Sequence, residues 1–204
     1  GTTIYATGTS QAAADQINTM MRDVVIIGGL SLVLVSGLLL LVYRSLVVAF
    51  LPLITVGVAV GIATPVTSFL TLAGLIPTSM MTNALMGALA LGAGTDYSIF
   101  FIGRYQEGRR AGLSVDDAFR ASYRGVAPVV IASGLTVAGA LSCMSFAQLD
   151  MMKSMGLPGA ITMIFTVLSA VTVTPGALLI GARRFGWFEP RSTIRSTRLW
   201  RRVG

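Results

Sequence analysis

The chain has 204 residues, of which 54% are hydrophobic and 11% are charged, whereas soluble domains carry about 25% charged residues. The mean hydropathy of +0.79 also favours a membrane protein. The net charge is +7, but the arginines lie between and after apolar runs, so membrane topology explains them better than nucleic-acid binding does. The sequence has no histidine and one cysteine, Cys143, which argues against a structural zinc site and excludes an intrachain disulfide.

Residues 1–23 precede the first long apolar run. They lack the basic start, the short apolar run and the cleavage site of a signal peptide. Ser10 is a candidate helix cap, and Ile17, Met20 and Val24 follow it with helical spacing. We therefore expect a helix that enters the first span from outside the membrane. We interpret this segment as the end of a preceding extracytoplasmic domain, and the chain as a fragment of something longer.

Five apolar runs are each long enough for a transmembrane helix, which needs about 20 mostly apolar residues. The runs cover residues 24–43, 46–70, 83–103, 126–148 and 154–182. Pro65 is expected to kink or end the second run. The sequence therefore predicts an all-α membrane protein with a five-helix transmembrane bundle over residues 24–182.

Basic residues are distributed unequally between the two ends of these spans. Thirteen of the 15 basic residues lie at the end that holds Arg44, the 104–125 loop and the tail 183–204. Only Arg22 and Lys153 lie at the opposite end. The positive-inside rule makes the crowded side cytoplasmic. We therefore expect a multi-pass protein of the inner (plasma) membrane, with the N-terminal segment outside and the loop and tail in the cytoplasm.

The predicted cytoplasmic loop and tail each carry a membrane-surface pattern. Ser114 and Asp117 have capping-box spacing, and Val115 and Phe119 share a thin apolar face. This pattern predicts a short amphipathic helix at the membrane surface, with an ordinary solvated helical turn as the alternative. The tail 183–204 is interpreted either as an aromatic belt followed by arginines that bind anionic lipid, or as a disordered basic segment.

Asp96 is the only acid well inside any predicted span. A charged side chain at the centre of a transmembrane helix costs about 2.5–3.5 kcal/mol, and such residues are usually functional. We predict that Asp96 binds and releases protons. The neighbouring Tyr97 points about 100° away on a helix, and we predict that it relays protons to groups on other helices. The alternative is a structural acid near a helix end, which either extends its side chain toward the membrane surface or pairs with Arg104, although about 12 Å of helical rise separates the two residues.

Small residues are frequent inside the spans, and helices in lipid associate through such residues. Gly57 and Gly61 form a G-x-x-x-G pair in the second span, and Gly92 and Gly94 lie just before Asp96 in the third. We predict that these four glycines permit close helix packing at the Asp96 site. Chance is the alternative for any single pair in a chain with 23 glycines.

Three hydroxyl residues share one face of the fifth span, at Thr162, Thr166 and Ser169. Such hydroxyls usually bond the carbonyl one turn back along their own helix. The alternative is that they line a polar path that faces Asp96.

Two stretches identify a resemblance. "GTDYSIFFIGRYQEGRRAG" at residues 94–112 and "AFRASYRGVAPVVIASGLTVAGALSCMSF" at residues 118–146 resemble the MmpL family of mycobacteria and related actinomycetes, within the RND superfamily of proton-driven exporters. The resemblance covers essentially the whole chain. It implies that the five spans are helices two to six of the first half of such a transporter, preceded by the end of a periplasmic porter domain.

The resemblance also implies roles and partners. Asp96 and Tyr97 match the first Asp–Tyr pair of the family's proton relay, whose second pair lies in the other half. This sequence has no second such run, so the relay needs the missing second half and the porter domains need the missing soluble parts. The family uses protons as the coupling ion without a cofactor, works with MmpS-type accessory proteins, forms oligomers such as trimers, and exports lipids, glycolipids and siderophores. The motif is similar to that of members linked to siderophore or glycopeptidolipid export.

The sequence is also compatible with functions other than transport. A five-helix unit of this superfamily also occurs as the sterol-sensing domain, a lipid-binding module that does not transport. A translocation accessory of the SecDF kind shares the proton path, but the loop "RYQEGRRAG" argues against it. An inactive truncated fragment is a further alternative. An enzyme is disfavoured because the sequence has no histidine, no metal-binding cluster and no nucleophile elbow of the G-x-S-x-G type.

Overall fold

The structure, a computed structural model, describes residues 9–43, 45–78 and 80–185. Five α-helices account for most of these residues, and no strand occurs among them. The helices are α1 (Thr9–Tyr43), α2 (Leu46–Leu72), α3 (Met80–Arg110), α4 (Val115–Cys143) and α5 (Asp150–Phe185), with a one-turn 3-10 helix at Met144–Phe146. The predicted all-α class is confirmed. The predicted basic tail from residue 186 onward lies outside the described residues.

Four of the helices are long and apolar enough to cross a membrane. These spans are Val48–Leu72, Thr82–Arg110, Val115–Phe146 and Asp150–Arg184. The apolar stretch of α1 is Val25–Leu41, which gives about 25 Å of rise and lies at the short end of the transmembrane range of about 17–25 residues. Four of the five predicted spans therefore meet both criteria, and the first is the apolar part of a longer helix.

α1 runs without a break from Thr9 into its apolar stretch. The expected continuity between the preceding segment and the first span is therefore present. Ser10 is the second residue of this helix, so the prediction that it caps the helix is wrong.

Proline does not end the second span. α2 continues through Pro65 to Leu72, because a broken helix in lipid would leave backbone groups without partners. Close to Pro65, the Thr67 hydroxyl donates to the carbonyl of Ala63 at 2.9 Å. This hydrogen bond adds to the helical ladder in the turn that the proline weakens.

The turn between α3 and α4 is tight. Gly112 has a positive φ of 85°, which glycine adopts readily, and Ser114 then caps α4 by accepting from the backbone N–H of Asp117 at 3.1 Å. The predicted cap is therefore confirmed. The predicted separate surface helix is wrong, because its residues are the first turns of α4, and Val115 and Phe119 pack against a buried cluster of the bundle.

α5 is the central helix and packs against α2, α3 and α4, whereas α1 packs against α2. Two clusters of buried side chains fill the spaces between these helices. The first consists of Tyr97, Phe101, Val126, Ala127, Val130, Ala138, Ala160, Met163, Val167, Ala170 and Val171. The second, nearer the basic end, consists of Val48, Leu51, Ile102, Tyr105, Ala118, Leu178 and Ala182. α3 contributes one face to both clusters, which fixes the rotation of this helix about its axis.

At the opposite end of the bundle, the 3-10 helix packs tightly on α5. A Cβ added at Gly156 would lie 2.2 Å from the Oγ of Ser145 and 2.5 Å from its backbone nitrogen. Backbone atoms have no free space to retreat into, so this approach requires glycine. Such close contacts matter here because helices in lipid gain little from hydrophobicity and associate through packing.

Gly156→Ala is expected to destabilise the bundle by about 1–3 kcal/mol, the usual cost of overpacking. The matched control is Gly176→Ala on the same helix, where an added Cβ meets no atom within 4 Å. The control is expected to leave stability unchanged or to raise it by up to about 1 kcal/mol through helix propensity. Thermal unfolding of both variants in detergent micelles, followed by circular dichroism, measures the difference. Equal transition temperatures for the two variants would contradict the close contact.

Candidate functional site

α3 has two different faces. Its buried face includes Thr82, Met86, Ala90, Gly94, Tyr97, Ser98, Phe101, Ile102 and Tyr105. Its exposed face includes Ala88, Gly92, Asp96, Phe100, Gly103 and Glu107. Both sets follow the spacing of three and four residues that marks one side of a helix. In the described bundle, α3 is therefore packed on one side, and the other side is uncovered.

Asp96 lies on the uncovered face, midway between the ends of the span Thr82–Arg110. Each end of the span is about 21 Å away along the helix axis. Among the described residues, Asp96 has no hydrogen bond or ion pair. Arg104 pairs instead with Glu107, at 2.6 Å, so the structure contradicts the alternative that Asp96 is held by Arg104. The bundle thus exposes a carboxylate at the middle of the span, and no described residue of the bundle forms a hydrogen bond or ion pair with it.

Tyr97 points the other way, into the first buried cluster, and is 8% exposed. Its hydroxyl lies 3.5 Å from the Oγ of Ser133 on α4. A Cβ added at Gly134 would lie 2.0 Å from Cγ2 of Val167 and 3.6 Å from the Tyr97 hydroxyl. The absence of a side chain at Gly134 therefore lets α4, α5 and the phenol meet. Neighbours in sequence, Asp96 and Tyr97 face different surroundings.

The four glycines predicted to pack at the site differ in their surroundings. A Cβ at Gly94 would lie 2.6 Å from Cγ2 of Val56, so α2 and α3 approach closely there. Gly57, Gly61 and Gly92 have no atom within 4 Å of their Cβ positions. Within the described bundle, Gly94 thus lies at a close helix contact, whereas Gly57, Gly61 and Gly92 lie on outward faces, and close packing at these three positions stays a prediction.

The three hydroxyls of α5 are all buried. Thr162 and Thr166 donate to carbonyls one turn back at 2.9 Å and 2.8 Å, and Ser169 donates to a carbonyl of α2 at 2.7 Å. Thr166 also lies against the buried position of Gly94, on a different face of α3 from Asp96. In this bundle the three hydroxyls satisfy backbone carbonyls, and they do not face Asp96.

A second group of hydroxyls joins three helices behind the site. Thr174 of α5 lies between Thr55 of α2, at 2.9 Å, and Ser98 of α3, at 3.0 Å. All three residues are fully buried. Because Ser98 is two residues after Asp96, it lies about 200° around the helix from it. The hydroxyl junction therefore turns Asp96 outward.

The junction has fewer protons than contacts. Its contacts run from the carbonyl of Leu51 through Thr55, Thr174 and Ser98 to the carbonyl of Gly94, with outer distances of 3.1 Å and 2.9 Å. Each hydroxyl supplies one proton, and carbonyl acceptors stand at both ends. Three protons serve four contacts, so at any moment one contact has no proton in it.

The sequence model of the MMPL family matches residues 1–204. The chain belongs to the MMPL family. It is 42% identical over 204 residues to the probable transport protein MmpL9 of Mycobacterium tuberculosis, a match that covers 100% of this chain and 21% of the relative. The resemblance found in the sequence is confirmed.

Other relatives agree with this assignment. The probable transport protein MmpL4 of Mycobacterium leprae is 41% identical over all of this chain and 21% of its own length. The siderophore exporter MmpL5 of Mycobacterium tuberculosis is 36% identical over the same shares of the two chains. The chain thus spans about a fifth of the length of these curated relatives. Family and spans together make it a multi-pass membrane protein of a transporter family.

Sequence reasoning found Asp96 and Tyr97 but missed the residues of the MMPL bundle that orient them. Thr55 is an isolated hydroxyl in the apolar first half of α2, and Ser133 follows the apolar run at residues 125–132 of α4. Thr174 lies eight residues after Thr166 and continues the hydroxyl face of α5 beyond Ser169, where the predicted face ended. The available signal was one hydroxyl at similar depth in each of several spans, since intramembrane hydroxyls tend to bond across helices.

Gly134→Ala is expected to separate α4 from α5 and to lower the stability of the bundle by about 1–3 kcal/mol, because Val167 is β-branched and stiff. Gly139→Ala on the same helix is the matched control, since its Cβ position has no atom within 4 Å. Detergent unfolding measures stability, and tyrosine fluorescence follows the environment of the aromatic residues. A Gly134→Ala variant as stable as the control would refute the contact.

Thr174→Val is expected to cost only about 1 kcal/mol, since interhelical hydrogen bonds in membranes average about 0.6 kcal/mol each. The substitution removes one proton and two contacts, which leaves Thr55 and Ser98 each with a carbonyl to bond. The measurement is the free energy of unfolding in mixed micelles. A loss above about 3 kcal/mol, the cost typical of an orphaned buried polar group, would show that the remaining hydroxyls lose their partners.

Proposed function

We propose that this chain is the first-half transmembrane bundle of a proton-driven MmpL exporter, in which Asp96 binds and releases the proton. The observation that carries this proposal is the position of Asp96, at mid-span on the uncovered face of α3. An ionised group at that depth is unfavourable by about 2.5–3.5 kcal/mol against lipid. A carboxyl that gains and loses a proton there changes the energy of its helix each time, which is the property that a coupling group needs.

The surroundings of Asp96 favour a protein partner over lipid. Ala88 and Gly92 precede Asp96 by two turns and one turn on the same exposed face. Small residues let another helix approach closely. We therefore propose that the remainder of the transporter, its second half together with the porter domains, covers this face and completes the relay.

Tyr97 is proposed as the relay partner of this first half. Its ring is fixed in the buried cluster, and its hydroxyl lies 3.5 Å from that of Ser133. A phenol both donates and accepts a hydrogen bond, so it can pass a proton or hold a neighbouring group in place. Its buried ring gives it a defined position beside the exposed Asp96.

The free energy released by one proton is large enough to drive the export of one solute molecule. A proton that moves down a membrane potential of 100 mV releases about 2.3 kcal/mol, and one pH unit adds about 1.4 kcal/mol. Moving a solute against a tenfold gradient costs about 1.4 kcal/mol. One reversible acid per cycle is therefore sufficient, and protons serve as the coupling ion without a cofactor.

The substrate class and the location complete the proposal. We infer export of lipids, siderophores or similar hydrophobic solutes to the cell envelope, supported by the siderophore exporter among the relatives. The unequal distribution of arginines supports an inner-membrane location with the α3–α4 turn in the cytoplasm and the start of α1 outside. An MmpS-type accessory protein and an oligomeric assembly belong to the same proposal.

The test compares Asp96→Asn with Glu107→Gln in cells that also supply the remaining regions of an MmpL transporter. Both changes remove one negative charge from the exposed face of α3, but Glu107 lies at the helix end, in an exposed ion pair worth about 0–1 kcal/mol. Export is expected to stop in Asp96→Asn and to continue in Glu107→Gln. Membrane insertion of each variant is measured in parallel by protease protection.

Two results would overturn the proposal. Continued export by a normally inserted Asp96→Asn variant would make Asp96 a structural acid. Equal loss in both variants would show that the exposed face needs negative charge in general, and that mid-span protonation is not the coupling step.

A further inference from the structure

Prolines weaken two helices at the depth of the hydroxyl junction. Pro52 lies three residues before Thr55 within α2, and Pro175 directly follows Thr174 within α5. Proline has no backbone N–H and removes the hydrogen bond to the carbonyl four residues earlier, and sharp bends of long helices occur mostly at such residues. α3, the third helix of the junction, contains no proline. Two of the three joined helices therefore bend most easily where the junction holds them.

The junction has four possible hydrogen-bond arrangements. Its contacts follow one another from the carbonyl of Leu51 through Thr55, Thr174 and Ser98 to the carbonyl of Gly94. The three hydroxyl protons leave one contact vacant, and because a hydroxyl both donates and accepts, any of the four contacts can be the vacant one. Every arrangement contains three hydrogen bonds. The vacant contact therefore moves along the junction when one hydroxyl turns, and the number of hydrogen bonds stays the same.

Two of these arrangements separate helices. A vacant contact between Thr55 and Thr174 leaves α5 bonded to α3 alone. A vacant contact between Thr174 and Ser98 leaves α5 bonded to α2 alone. The single vacancy cannot lie in both contacts at once. α5 can therefore move against α2 or against α3, while the junction keeps it bonded to the other.

We propose that the hydroxyl junction is a release point through which α2 and α3 move against α5 one at a time. Thr55, Ser98 and Thr174 then act as positioning residues for Asp96, which lies on α3 two residues before Ser98. This proposal rests on the proposed proton-driven function, because a pump must convert protonation of Asp96 into movement of a helix. When α3 moves with its acid, the bond between Thr55 and Thr174 keeps α2 and α5 together.

Removing a hydroxyl at either end of the junction removes the vacancy. Thr55→Val leaves two protons for two contacts, and both contacts hold Ser98, so α5 and α3 stay bonded. Ser98→Ala also leaves two protons for two contacts, but both contacts hold Thr55, so α5 and α3 lose their bond. A merely structural group of hydroxyls would loosen the bundle in both variants. The two variants therefore distinguish a release point from a structural contact.

The first measurement is the distance between α3 and α5 in the full chain, in phosphatidylcholine vesicles, by pulsed electron paramagnetic resonance. Nitroxide labels are attached at two exposed positions, Phe100→Cys on α3 and Ile180→Cys on α5, in a chain that also carries Cys143→Ser. Thr55→Val is expected to leave the distance distribution as narrow as it is without that change. Ser98→Ala is expected to broaden the distribution, because the bond between the two helices is lost.

The second measurement is export in cells that also supply the remaining regions of an MmpL transporter. Thr55→Val and Ser98→Ala are each expected to lower the export rate about threefold, the factor that corresponds to one interhelical hydrogen bond of average strength. Thr174→Ser keeps every contact of the junction. Thr172→Val removes an exposed hydroxyl of α5 that donates to the carbonyl of Leu168 in the same helix at 2.6 Å. Both of these control variants are expected to export normally.

Broadening of the distance distribution in both end variants, or in neither, would overturn the proposal, as would export by Thr55→Val at the unmodified rate. Thr55→Ala also removes the hydroxyl and replaces Thr55→Val if that variant fails to insert. Asp96→Asn, measured in parallel, tests the proposed function separately. If Asp96→Asn exports normally, proton coupling through Asp96 is wrong, and the difference in distance distribution between Thr55→Val and Ser98→Ala still decides whether the junction releases one helix at a time.

Discussion

A carboxylate at the middle of a membrane span needs a partner or a proton. The exposed position of Asp96 is therefore the constraint on which the packing of this bundle depends. The described helices place it on the one face of α3 that they do not cover. A single side chain thus carries a cost of about 2.5–3.5 kcal/mol for as long as it is charged against lipid. Covering that face, or protonating that group, removes the cost, and this connects the packing of the molecule with its chemistry.

The opposite side of α3 is fixed by contacts that have little to do with hydrophobicity. Gly94 admits Val56 of α2, and Gly134 admits Val167 beside the phenol of Tyr97. Ser98 joins the hydroxyl junction with Thr174. Glycine contacts set the distance between helices, and the hydroxyls set their rotation. Because both act on the same three turns of α3, a rotation that brought Asp96 inward would break them together.

The sequence was sufficient to locate the helices and the intramembrane acid Asp96. It was not sufficient to show which face of each helix packs against its neighbours. Apolar length identifies a span because backbone groups in lipid require a helix, so α2 to α5 were found within a few residues at most ends. Rotation about each axis depends on contacts between distant residues, such as Thr55 with Thr174, which have no local pattern. Gly92 and Gly94 look equivalent in sequence, yet one faces outward and the other contacts α2. Pro65 does not end α2, because neighbouring helices and hydroxyl side chains satisfy the backbone groups that a proline frees in a transmembrane helix.

α1 differs mechanically from the other helices. It is 35 residues long, or about 52 Å, and it packs against α2 while α5 binds the other three together. Among the described residues its main lateral contact is therefore with α2. Any tilt of α1 acts first on α2, which packs along α5 and carries Val56 directly against Gly94, two residues from Asp96.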